Sequence, residues 1–82
     1  MNVHAHPLER TGFLRISGGI HSDEQALALK AALEDLPGVY GTAVTRDAVV
    51  LRLDPELAHD QQLYEAVKLM GFHASDFFLA ES

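Results

Sequence analysis

Cysteine is absent from the 82 residues, which removes disulfide scaffolds, thiolate nucleophiles and thiolate metal sites together. Positive charge is scarce. Six Lys and Arg face 12 Asp and Glu, for a formal charge of −6. The cations (Arg10, Arg15, Lys30, Arg46, Arg52 and Lys68) are scattered rather than bunched. Such a surface repels phosphate, which argues against nucleic acid as a partner. No apolar run approaches the roughly 20 residues of a membrane span, so membrane insertion is not expected. The opening Met1-Asn2-Val3-His4-Ala5-His6-Pro7 has no basic stretch leading into an apolar core, so no secretory signal is expected and the cytoplasm is the default location. What remains is a chain that is 48% apolar with interspersed charge, enough for one small domain with a single modest core.

Residues 1–11 carry His4 and His6 but no apolar period, and are expected to form a flexible arm. A single domain is expected over 12–79, with 80–82 as a tail. Gly12 to Ser17 alternates, with Leu14 and Ile16 on one face, as a half-covered strand does. Gly18-Gly19 breaks it. Ser22 is a good N-cap, Asp23 and Glu24 complement the helix dipole in the first turn, and Gln25 completes a capping-box pattern. Leu29, Ala32, Leu33 and Leu36 recur at helical spacing until Pro37-Gly38. Val39–Thr45 and Ala48–Leu53 read as strands joined across Arg46-Asp47, and Asp54-Pro55 ends the second. A second helix is expected from Leu57 or Asp60 to Met70, with Leu63, Val67 and Met70 inward and Gly71 as its cap. Phe72–Leu79 supplies the last strand. The order β-α-β-β-α-β is the split βαβ of an α+β, ferredoxin-like sandwich: two helices on one face of a four-stranded antiparallel sheet.

Four segments resemble the heavy-metal-associated domain family of metallochaperones and transporter-ATPase N-terminal domains. They are Gly19-Ile20-His21-Ser22-Asp23-Glu24-Gln25, Leu36-Pro37-Gly38-Val39, Asp54-Pro55, and the run Leu63 to Phe72 ending in Gly71-Phe72. The resemblance spans roughly residues 12–76. That family carries Gly-Met-x-Cys-x-x-Cys at the start of the first helix. Counting back from Pro37, Ile20 stands at its Met, and Ser22 and Gln25 stand at its two cysteines. The resemblance implies a small soluble metal-handling protein with a metal transporter or another protein as its partner. It also implies a degenerate Cys-x-x-Cys motif, and the hairpin between the second and third strands looks shorter than the family's.

Cu(I) needs soft, deprotonated sulfur, and neither a serine hydroxyl nor a glutamine amide supplies it. A Cu(I) thiolate site is therefore not expected, and Ser22 and Gln25 are explained by capping alone. Harder ions (Zn(II), Ni(II), Co(II) or Cu(II)) suit imidazole with carboxylate. Chain tracing brings His21, Asp23, Glu24, Asp47 and His73 towards one end of the domain as candidate ligands. Against this, Asp23 and Glu24 already serve the helix dipole, and a single loop histidine is usually solvated. His4, His6 and His59 form a second candidate cluster at the opposite end, where the arm would lose conformational entropy to close a site. Phe77-Phe78-Leu79 is more apolar than an edge strand requires, and is either core or an interface for strand addition or a homodimer. Asp23 and Glu24 are adjacent on a helix and so diverge, no Ser-His-acid order stands out, and Gly18-Gly19 lacks the P-loop residues, so an enzyme is not expected. Two functions remain: metal handling through His and carboxylate, or a degenerate module that binds no metal and serves protein recognition or self-association.

Overall fold

The computed structural model describes residues 9–80. Its elements are β1 (Arg10–Ser17), α1 (Asp23–Glu34), β2 (Val39–Val44), β3 (Ala48–Leu53), α2 (Asp60–Leu69) and β4 (His73–Leu79). The strands form one sheet in the order β2-β3-β1-β4, every neighbour antiparallel. The two helices pack on one face, giving the expected ferredoxin-like sandwich. β1 begins at Arg10, two residues before the expected start at Gly12, because Arg10 and Thr11 still pair with Leu53 and Arg52.

The core lies between sheet and helices. Leu14, Val49, Leu51 and Leu53 from the strands meet Leu29, Leu33, Leu63 and Val67 from the helices, all fully buried. These are the positions at which period two and period 3.6 both put apolar side chains inward. Met70 departs from this pattern. Expected inward, it is 37% exposed, because α2 stops at Leu69 and Met70 occupies the C-cap. Gly71 follows the C-cap, and its φ of 89° is the left-handed conformation usual just past a helix C-terminus.

Gly38 matters more to the frame. With φ at 89°, it turns the chain from α1 into β2 while its carbonyl accepts the Asp54 N–H at 2.7 Å. That bond ties the start of β2 to the end of β3. Along α1, the half-buried Lys30 pairs with Glu34 one turn on, and this partner holds the Glu34 carboxyl below the usual carboxylate range.

Candidate functional site at the β1–α1 loop

The loop between β1 and α1 is held from two sides. Ile20 is buried in the core, and its N–H reaches the Arg46 carbonyl at 2.6 Å. Ile16 N–H bonds the Asp47 carbonyl at 2.8 Å, so the tip of the β2–β3 hairpin clamps both ends of the loop. The hairpin is closed by Thr45, whose N–H and hydroxyl both reach the Ala48 carbonyl, at 2.8 and 3.0 Å. Loop, hairpin tip and helix start thus share one pole.

Ser22 is the N-cap of α1, and its Oγ accepts the Gln25 N–H at 3.1 Å. The Gln25 side chain differs from a standard capping box. Its Oε1 accepts the His21 N–H at 3.1 Å, one residue before the cap. Both residues standing at the family's cysteine positions are therefore engaged in local hydrogen bonds. The His21 ring turns back on the loop, with Nε2 at 2.8 Å from the Gly18 carbonyl. With Nε2 bonded there as a donor, Nδ1 is the nitrogen that keeps its lone pair.

An open hollow of about 300 Å³ lies at this pole, lined by Ile20, His21, Ser22, Asp23, Ala26, Val44, Thr45 and Arg46. One imidazole and one carboxylate therefore face it, together with a cation. Glu24 and Asp47 are exposed at the same pole but do not line the hollow. His73 pairs with Ser17 at the last rung of β1, beside the loop but also outside the hollow. Among the described residues, no three His, Asp or Glu side chains gather closely enough to hold a metal ion. Sequence reasoning missed Arg46 as a lining residue. The two-residue turn Arg46-Asp47 was the available signal, since a hairpin tip at this pole must present one of its side chains.

At the opposite pole His59 precedes α2, its N–H bonded to Gln62 Oε1 at 2.9 Å. It lines a second hollow with Pro55, Ala58, Asp60 and the β4 residues Phe77, Phe78 and Leu79. His4 and His6, the other members of that proposed cluster, lie outside the described residues. Phe77 and Phe78 divide between two environments. Phe77 is half-buried against the core, its ring covering Gly12 so closely that a Cβ there would stand 2.8 Å from Cε1. Phe78 is 53% exposed on the other face and stacks on Phe13, with ring centroids 5.5 Å apart.

No family model matches the chain, and no curated protein matches it. Solved structures do share its fold. Oxidized MerP from Ralstonia metallidurans CH34 is 23% identical over 89% of this chain and 99% of its own, with a TM-score of 0.72. The CopZ metallochaperone is 19% identical over 79% of this chain and 98% of its own, with a TM-score of 0.74. The N-terminal soluble domains of Bacillus subtilis CopA match at 19% identity and a TM-score of 0.70. That match covers 79% of this chain and 45% of the solved CopA domains. At these identities the likeness is one of fold: a four-stranded sheet and two helices arranged as in metallochaperone domains.

Proposed function

We propose that this protein is a small metal-handling module of heavy-metal-associated type that meets a divalent ion harder than Cu(I) at the β1–α1 pole. The observation that carries the reading is the hollow lined by His21 and Asp23 at the pole formed by the loop and the hairpin tip. The donor set decides which ions suit it. Without cysteine the pole offers imidazole and carboxylate, which do not fit Cu(I) but do fit Zn(II), Ni(II), Co(II) or Cu(II). His21 would bind through Nδ1 and Asp23 through its carboxylate, while Glu24 and His73 stand at the same pole outside the hollow. Two lining donors leave an ion largely hydrated or completed by a partner protein, such as a metal transporter. Binding by the isolated chain is accordingly weak, and Arg46 beside the hollow weakens it further. A small cytoplasmic protein passing an ion onward, with no chemistry of its own, is consistent with such an open site.

Titration calorimetry with Zn(II) tests this on the intact chain and on a His21→Ala, His73→Ala double variant. Saturable binding that the double variant loses supports the reading. Unchanged binding in the double variant overturns it.

A second reading has its own observation. Phe78 is half-exposed on edge strand β4, while no three His, Asp or Glu cluster among the described residues. On this reading the domain has lost metal chemistry and serves recognition of another protein chain through β4. Its test is the effect of Phe78→Asp on association, with metal absent throughout.

A further inference from the structure

Strand β4 lies at the edge of the sheet, and one hydrogen bond fixes which of its backbone groups are already used. Ala80 N–H reaches the Thr11 carbonyl at 2.8 Å, continuing the register in which Gly12 faces Leu79 and Phe13 faces Phe78. In an antiparallel ladder the groups alternate. The N–H and C=O of Phe78 therefore turn towards β1, and those of Phe77 and Leu79 turn out to the edge, where no strand pairs with them among the described residues. The stretch Phe77–Ala80 has no charge, no proline and no bulge, which are the usual devices that blunt an edge.

Two surfaces converge on this edge. On the sheet face away from the helices, Ala43 faces Val50, Val50 faces Phe13, and Phe13 faces Phe78. An apolar row thus crosses the whole sheet and stops at the exposed ring of Phe78. The hollow lined by Pro55, Ala58, His59 and Asp60 is bounded by the same strand, through Phe77, Phe78 and Leu79.

We infer that a second copy of this chain pairs with β4, antiparallel, across a two-fold axis at Phe78. In that register Phe77 exchanges hydrogen bonds with the partner's Leu79, and Leu79 with the partner's Phe77. Phe78 then faces the partner's Phe78 in a non-hydrogen-bonded pair, where Cα atoms are closest at about 4.5 Å. The apolar row runs on into its own copy, and each Leu79 meets the other's hollow. Any strand satisfies the backbone, but the two-fold supplies a matching aromatic at the end of the row. Charge selects the register. With the axis at Phe78, the two Asp76 carboxylates lie four residues apart along the ladder, about 14 Å, beyond the roughly 8–10 Å screening length. With the axis at Phe77 they would lie about 7 Å apart and repel.

This inference rests on the recognition reading and is independent of the metal reading. Because the chain has no cysteine, Phe78→Cys gives one thiol per molecule. The expected result is a disulfide-linked dimer on mild oxidation, formed at least roughly tenfold faster than with Thr45→Cys at the distant hairpin, because facing residues of such a pair meet disulfide geometry. Sedimentation of the unmodified protein guards against the loss of the Phe78 ring, and should show a dimer that grows with concentration. A dimer in which Phe78→Cys links no faster than Thr45→Cys overturns the β4 register but leaves self-association standing. A monomer at millimolar concentration overturns both, while recognition of a different chain through β4 is still tested by Phe78→Asp.

Discussion

Gly38 and Gly71 share the same backbone conformation, φ 89°, but not the same surroundings. A Cβ built on Gly38 would stand 2.6 Å from the Cβ of Leu57 and 2.9 Å from the Ala58 nitrogen. A Cβ on Gly71 meets nothing within 4 Å. Gly71→Ala should therefore show the cost of the left-handed conformation alone, about 1–2 kcal/mol. Gly38→Ala carries that cost plus the displacement of packed backbone, a further 1–3 kcal/mol or so by analogy with overpacked cores. The displacement also threatens the Asp54–Gly38 hydrogen bond that joins β2 to β3. Urea unfolding followed by circular dichroism measures both variants, provided the slope with denaturant is unchanged. The gap should be at least about 1 kcal/mol, or roughly 4–8 °C in melting temperature for a domain of this size. Equal destabilisation by the two substitutions would refute the packing argument and leave conformation as the whole effect.

Ser22→Ala removes the side-chain acceptor of the Gln25 N–H and should lower stability by about 1 kcal/mol in the same assay, the usual worth of an N-cap. Leu33→Ala empties a fully buried position between α1 and the sheet, and should cost about 2–5 kcal/mol in urea unfolding. The Glu34 carboxyl is held low by Lys30, so its stabilising contribution is present above the unfolded carboxylate value and is lost as pH falls through the lowered folded value. Lys30→Met should raise the Glu34 titration midpoint seen by side-chain carboxyl NMR, and an unmoved midpoint would dismiss the pair as its cause.

The frame was legible because local signals and periodicity agreed at nearly every element. Ser22 before two acids, Pro37-Gly38 after Leu36, and the alternation of Val49, Leu51 and Leu53 each point to one structure. Met70 departs from its expected inward place because helical spacing does not say where the helix stops. One residue beyond the end of α2, the side chain leaves the inward stripe. The site was less legible. Spacing placed His21 and Asp23 together, but it could not foresee that His21 Nε2 would turn back to Gly18 or that Arg46 would line the same hollow. Those outcomes depend on rotamers and on the hairpin tip meeting the loop, contacts between residues far apart in sequence. The sequence alone does not separate core from interface for Phe77 and Phe78, whereas the structure puts one on each face of β4.

The most direct test of the metal reading is residue-resolved NMR of the intact, untagged chain during titration with Zn(II) near neutral pH. Saturable shifts confined to His21–Gln25 and the neighbouring His73, abolished by His21→Ala, are the expected result. Shifts near His59 alone, or no saturable shift anywhere, would contradict it and leave β4 recognition as the function of the fold.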